Sequence, residues 1–175
     1  ARESLDGYAT RFEAAFHAGM RAKIGLAGDD EVDTELAFDL LNRMSEQGAD
    51  FTNTFRGLSR AVAGDPSADG EARDQFADPA AFDEWARGWR RRLAADSRGD
   101  DERRAAMRAV NPAYIPRNHR VQQVIDAAMR EQPDLQPLEE LLTVVARPFD
   151  DHPGLSEYAR PPGPDEVVQR TFCGT

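Results

Sequence analysis

Cysteine is nearly absent from the 175-residue sequence, in which Cys173 is the only one. A single cysteine excludes an internal disulfide framework and any multi-cysteine zinc or iron–sulfur site within the chain. Lysine is as scarce, because Lys23 is the only lysine among 22 basic residues and the others are arginines. We interpret this bias as a trace of a GC-rich genome more than as an arginine-rich phosphate-binding surface.

Positive charge and long apolar runs are also lacking. The sequence has 32 acidic residues against 22 basic ones, a formal net charge of −10 and a pI of about 4.8. This balance argues against a nucleic-acid-binding surface and a polybasic membrane anchor, and no run approaches the roughly 18 apolar residues of a membrane-spanning helix. The first residues show neither a starting Met nor a signal-peptide profile. We therefore expect a soluble, cytoplasmic piece of a longer protein.

Hydrophobic residues recur at helical spacing along most of the chain, and no segment alternates as a half-buried strand does. The first stripe predicts one buried face of a helix that ends near Gly25, where a left-handed cap is tolerated. Its members are Tyr8, Phe12, Phe16, Met20 and Ile24. Six further stripes predict six further helices. We therefore predict an all-α fold of about seven helices that share a core.

Capping residues mark several ends of these helices. Asp50 and Asp78 stand at N-cap positions, and Pro79 follows at the first helical position. Asn111-Pro112 is predicted to end the fifth helix, because the residue before proline avoids helical backbone angles.

Two segments are predicted to lie outside the helices. Residues 64–70 combine glycine, aspartate, proline and serine, which predicts an exposed loop. From residue 147 onward prolines become frequent, which predicts an extended tail. We therefore divide the sequence into a helical region, 1–146, and a proline-rich tail, 147–175.

The usual catalytic signatures are missing: there is no glycine-rich phosphate loop, no HExxH and no GxSxG. We accordingly predict no catalytic, cofactor-binding or metal-binding residue within this chain. Of the three histidines, His17 is interpreted as a surface or hydrogen-bonded residue. His119 lies at a helix start where capping explains the residue types, and His152 lies in a loop.

Two short segments carry more information about contacts and chemistry. In 50–56, an N-cap from Asp50 or Thr52 and two core aromatic residues explain most positions, while Arg56 is predicted to reach a fixed carboxylate or carbonyl. In 171–175, the thiol of Cys173 lies close to a flexible end. Such a thiol suits disulfide exchange or oxidation, although a role without chemistry stays open.

These and other motifs resemble the C-terminal portion of the selenoprotein O (SelO, or YdiU) family of pseudokinase-like protein adenylyltransferases. The matching segments follow the family's order over nearly the whole chain. They are Met20–Leu26, Asp50–Leu58 with Thr52, Phe55 and Arg56, Trp85 with Trp89 and Arg92-Leu93, Met107–Ile115 with Asn111 and Pro112, Arg117-Asn118, Arg147–Phe149, Tyr158 with Pro161-Pro162, and Cys173.

The resemblance implies a kinase-like fold whose C-lobe these helices complete. It also implies that the full-length protein transfers AMP from ATP, held with Mg²⁺ or Mn²⁺, to Ser, Thr or Tyr of protein substrates. The family's ATP- and metal-binding motifs lie N-terminal to the matched part, so this chain is expected to bind no cofactor and to be inactive alone. Its partner would be the missing kinase-like region.

Cys173 matches a position that the family fills with selenocysteine or cysteine. The resemblance implies a redox switch in which it pairs with a cysteine near the activation segment, outside this chain. Gly174-Thr175 follow it here in place of the family's two serines, which puts local tuning of the thiol in doubt. The alternative to the whole interpretation is a stand-alone acidic helical module that binds a basic protein partner.

Overall fold

The computed structural model of the protein describes residues 2–62 and 66–169, and within these ranges it contains eight α-helices and no strand. The helices are α1 (Arg2–Lys23), α2 (Glu31–Gln47), α3 (Phe51–Ala61), α4 (Gly70–Arg73), α5 (Pro79–Ala95), α6 (Asp100–Val110), α7 (Asn118–Ala128) and α8 (Gln136–Ala146). Three short 3-10 helices cover Pro66–Asp69, Ser156–Ala159 and Pro164–Glu166. The all-α prediction is confirmed.

The predicted exposed loop over 64–70 is wrong for its described part. Residues 66–69 form a 3-10 helix and α4 follows at once, which adds an eighth helix to the seven expected. Asp69 is buried, and its carboxylate pairs with Arg90 on α5. Arg90 lies 21 residues from Asp69 in the sequence, so the neighbouring residues do not indicate this pairing. The turn-forming residue types alone predict a solvated loop.

The predicted helix ends are confirmed. The Asp50 side chain accepts a hydrogen bond from the Asn53 amide at 2.8 Å, and the Asp78 side chain accepts one from the Ala80 amide at 2.9 Å. Gly25, just after α1, has a φ of +77°, a left-handed conformation that glycine adopts at little cost.

The chain divides into two compact units between Asn111 and Pro112. This division lies at a different position from the boundary that composition predicts between residues 146 and 147. The compositional boundary stays a prediction. The first unit holds α1 to α6 and the second holds α7 and α8 with the segment that follows them.

Two tryptophans on α5 form the centre of the first unit. Trp85 and Trp89 are almost completely buried, and their rings stack with centroids 5.3 Å apart. Each indole N–H also has a main-chain acceptor: Trp85 donates to the Leu36 carbonyl at 2.9 Å and Trp89 to the Ile24 carbonyl at 2.7 Å. Burying an indole leaves its N–H in need of a partner, so these bonds fix α5 against α2 and the end of α1.

The prediction of one buried face along α1 is wrong for the first half of the stripe. Met20 and Ile24 are buried, but Tyr8, Phe12 and Phe16 are 67, 58 and 43% exposed. The reason is helix geometry: with 3.6 residues per turn, each four-residue step advances by about 40° around the axis. Tyr8 therefore faces about 160° away from Ile24, and one core cannot cover both.

In the second unit, Val124 of α7 packs with Leu141 and Val144 of α8 in a small apolar cluster. The proline-rich segment joins this cluster, because Tyr158 in the 3-10 helix Ser156–Ala159 is only 5% exposed. Leu138 and Leu155 pack against the cluster from its edge. The described part of the segment after α8 is therefore docked on the two helices.

Gly57 marks the close approach of α3 and α4. A Cβ at this position would lie 2.6 Å from the Ala72 nitrogen and 2.9 Å from the Glu71 carbonyl carbon, and both are main-chain atoms. We predict that Gly57→Ala lowers the free energy of unfolding by about 1–3 kcal/mol, because α4 must shift to admit the methyl group. Urea denaturation followed by circular dichroism measures this loss.

Gly19 of α1 provides the matched control, since a Cβ there meets no atom within 4 Å. Gly19→Ala is expected to raise the free energy of unfolding by about 0.5–1 kcal/mol through the helix preference of alanine. Equal effects of the two substitutions would contradict the packing assigned to Gly57.

Candidate functional site

The C-terminal end of α1 collects side chains from three other parts of the first unit. Three consecutive main-chain carbonyls there each accept a side-chain hydrogen bond: Lys23 from Asn111 Nδ2 at 2.8 Å, Ile24 from Trp89 Nε1 at 2.7 Å, and Gly25 from Arg98 Nη2 at 2.7 Å. The last carbonyls of a helix have no partner inside it. We call these six residues, Lys23, Ile24, Gly25, Trp89, Arg98 and Asn111, the α1 junction.

The Asn111 side chain makes two hydrogen bonds with Lys23, one as donor and one as acceptor. While its Nδ2 donates to the Lys23 carbonyl, its Oδ1 accepts from Lys23 Nζ at 3.2 Å. The Lys23 ammonium also donates to the Val110 carbonyl at 3.1 Å and lies 5.6 and 5.4 Å from the ring centroids of Phe51 and Phe55. Burial lowers the pKa of Lys23, since its contacts here are amide, carbonyl and ring surfaces.

The segment predicted to carry information at 50–56 reaches the same place. Arg56 Nη1 donates to the main-chain carbonyls of Asn111 at 3.1 Å and Arg108 at 3.4 Å, which are carbonyls near the end of α6. Thr52 and Phe55 are buried, whereas Phe51 is 48% exposed. The expectation of two core aromatic residues is therefore wrong for Phe51, whose ring instead lies beneath the Lys23 ammonium at the surface.

A second buried cation lies beside the α1 junction. Arg103 of α6 is 2% exposed and donates to the carbonyls of Leu93 at 3.2 Å and Arg98 at 3.0 Å and to the Asp100 carboxylate at 3.0 Å. Hydrogen bonds from Arg98 hold the pKa of Asp96 at about 2. Arg103 thus closes the end of α5, a role that the sequence analysis missed.

In the second unit, residues 117–119, interpreted from the sequence as a helix cap, differ in their burial. The interpretation of these residues as helix caps is wrong, because α7 begins at Asn118 with no side-chain capping bond. Asn118 is exposed, while Arg117 and His119 are buried. Burial also lowers the pKa of His119. The residue types resemble a helix cap because polar residues precede an apolar stripe. The neighbouring sequence does not indicate that Arg117 and His119 are buried.

The neighbouring Arg120 and Tyr158 hold the segment after α8 in place. Arg120 Nη2 donates to the Glu157 carbonyl at 2.7 Å, and its guanidinium lies 5.4 Å from the centre of the Tyr158 ring. The Tyr158 hydroxyl donates to Glu140 at 2.8 Å. Burial and this carboxylate raise the pKa of Tyr158 to about 12, so the phenol stays protonated.

The other two histidines contact an aromatic ring and a main-chain carbonyl. His17 lies edge-on to the Phe38 ring at 5.5 Å, and His152 Nε2 lies 3.1 Å from the Arg147 carbonyl. Within residues 2–62 and 66–169, no group of three or more His, Cys, Asp and Glu could hold a metal ion, and none of the helices there is long and apolar enough to cross a membrane. Cys173 lies outside the described residues.

The family comparison decides what this helical arrangement belongs to. The sequence model of the family described as protein adenylyltransferase SelO matches residues 1–146. The chain belongs to the SelO family. The α1 junction joins three of the segments that carried the resemblance, namely the one that includes Lys23-Ile24-Gly25, the one with Trp89 and the one with Asn111.

Individual SelO relatives agree with this assignment. A protein nucleotidyltransferase YdiU from Rhodopseudomonas palustris is 54% identical over 175 residues, and its counterparts in Methylorubrum extorquens and Bradyrhizobium diazoefficiens are each 51% identical. The chain is covered completely in all three, but it spans only 35 or 36% of the relatives' own length.

Asn111 offers a direct test of the α1 junction in this SelO chain. Asn111→Ala is expected to lower the free energy of unfolding by about 2–4 kcal/mol, because it leaves the Lys23 carbonyl and ammonium without their amide partner. Asn42→Ala, at an exposed position of α2, is the matched control and should change stability by less than about 0.5 kcal/mol. Urea denaturation of both variants decides; an Asn111 variant as stable as the control would refute the assigned role.

Asp96 gives the first unit a defined response to acid. Its folded pKa of about 2 lies below the ordinary value of 3.8, so its contribution is complete above the unfolded pKa and disappears as the pH falls from about 4 to about 2. We expect Asp96→Asn to be less stable than the parent chain at pH 6 and to approach it at pH 2. Asp101→Asn, which alters a 97% exposed carboxylate, is the control and should lose less stability at pH 6 than Asp96→Asn in urea denaturation, because a surface ion pair contributes little.

Proposed function

We propose that this chain is the C-terminal helical part of a SelO-type protein adenylyltransferase, which in its full-length form transfers AMP from ATP to Ser, Thr or Tyr hydroxyl groups of proteins. The observation that carries the proposal is the family match over residues 1–146. The part played by this chain is architectural: it completes the C-lobe of the kinase-like fold. The cytoplasm is the proposed location.

The α1 junction supports an architectural role. Its side chains, Asn111, Trp89 and Arg98, donate to main-chain carbonyls at the end of α1. Arg56 donates to a main-chain carbonyl at the end of α6, and Arg103 donates to one near the end of α5. Hydrogen bonds of this kind satisfy backbone groups and fix the angles between helices.

The nucleotide and its metal ion are assigned to the rest of the longer protein. Mg²⁺ or Mn²⁺ on a triphosphate is held by carboxylate and similar oxygen ligands, and the described ranges of this chain bring together no group of three that could hold a metal. We therefore derive no catalytic step from these residues and propose that the chain alone is inactive. Protein substrates and the kinase-like region are the proposed partners.

The family resemblance also supports a regulatory proposal for Cys173. Its thiol would form a disulfide with a cysteine of the kinase-like region, with loss of two protons and two electrons to an oxidant. Cys173→Ser in the full-length protein should then abolish an oxidant-dependent mobility shift on non-reducing gels. A shift that persists in the variant would count against this pairing.

Label transfer tests the proposed activity. The full-length protein, incubated with ATP and Mg²⁺ or Mn²⁺, is expected to transfer label to protein from ATP labelled at the α-phosphate and not from ATP labelled at the γ-phosphate, because AMP retains only the α-phosphate. The isolated 175-residue chain should transfer neither. Transfer from the γ-phosphate would indicate a kinase, and transfer by the isolated chain would overturn the proposed division of labour.

A further inference from the structure

Three aromatic side chains on the first half of α1 remain uncovered. Tyr8, Phe12 and Phe16, which we call the aromatic stripe, are 67, 58 and 43% exposed. Their rings stack along the helix, with centroids 6.2 Å apart between Tyr8 and Phe12 and 6.0 Å apart between Phe12 and Phe16. The stripe is therefore one continuous apolar surface and not a set of scattered side chains.

The stripe begins where the core of the first unit ends. Phe16 contacts the partly buried Phe38 of α2 at 6.0 Å, and Met20, the next residue in the series, is buried. Tyr8 and Phe12 continue the series toward the start of α1 and turn progressively away from the core by about 40° per step. A second surface must come from another direction to cover them.

Leaving such a surface in water is costly. Burial of apolar area contributes roughly 25 cal/mol per Å², and aromatic side chains supply much of the binding energy of protein interfaces. Contiguous exposed apolar patches on a folded chain mark contact surfaces. The remaining question is which surface covers this one.

The spacing of the stripe favours a globular partner over a second copy of α1. Two helices that pair as a coiled coil need apolar residues every 3.5 residues on average, in alternating steps of three and four. The three rings follow one another at steps of four only, so they spread over about 80° around the helix axis and form a broader face than a two-stranded seam. The relatives, by contrast, are almost three times as long as this chain, which leaves about two-thirds of a SelO protein to supply the cover.

We propose that the aromatic stripe is the surface through which this helical part docks on an apolar face of the remaining region of the full-length SelO protein. The inference rests on the proposed function only in that the chain must be part of the longer protein. It adds the contact surface: the first half of α1 belongs to the core shared with that region, and its second half belongs to the core of the first unit.

Two neighbouring alanines allow a matched test. Ala15 lies within about 20° of Tyr8 around the helix axis, seven residues on, whereas Ala14 lies about 160° from Phe12. Both side chains are exposed in the isolated chain. Ala15→Cys and Ala14→Cys are each introduced into the full-length protein, and the rate of maleimide labelling at each site is measured by peptide mass spectrometry relative to the unfolded protein.

We expect labelling at Ala15→Cys to be at least about tenfold slower than at Ala14→Cys, because the reagent must wait for local opening of the covered face. Equal rates at the two sites would overturn the proposal. Protection of Ala15→Cys that disappears on dilution, together with a concentration-dependent mass in sedimentation, would also overturn it by identifying a second copy as the cover. The labelling rates do not depend on AMP transfer, so failure of the proposed activity would be seen separately.

Discussion

The first unit depends on how the end of α1 satisfies its carbonyl groups. A helix leaves its last carbonyls without internal partners, and a buried carbonyl without a donor costs about 1–3 kcal/mol. Here the donors come from Trp89 on α5, Arg98 after α5 and Asn111 after α6. Because each donor lies far along the chain from α1, satisfying one helix end fixes where two other helices end. Gly25, which carries the last of the three carbonyls, packs so closely against α6 that a Cβ there would lie 2.6 Å from Met107 Sδ.

The single lysine occupies a position that arginine would not fill in the same way. The Lys23 ammonium is a compact donor that meets the Asn111 and Val110 oxygens and lies beside two aromatic rings. A guanidinium is a larger planar fork suited to paired acceptors, and Arg92 shows this use: it reaches Asp30 at 2.7 Å and Asp33 at 2.5 Å. Particular carboxylates are thus matched to an arginine where α2 and α5 meet.

The features that the sequence predicted correctly depend on residues that are close together in the chain. The caps at Asp50 and Asp78 and the positive φ at Gly25 follow from residue types within a few positions of the helix ends. The errors share a different cause. Asp69 is buried because Arg90 reaches it from α5, and Arg117 and His119 are buried by packing within the second unit. Partners far apart in sequence decide these cases, and no short window contains them. The segments with Trp89 and Asn111 stand out as motifs in the sequence, but their meeting at the end of α1 is a property of the folded chain.

Three residues within the segments that resemble the family close helix ends in the first unit. Asn111, Arg56 and Trp89 contact main-chain carbonyls, an occupation that tolerates few other side chains because the acceptor geometry is fixed by the backbone. The two halves of α1 differ in the same terms: the second half ends in three carbonyls that each have a side-chain donor, and the first half presents the exposed aromatic stripe that we propose the remainder of the full-length protein covers.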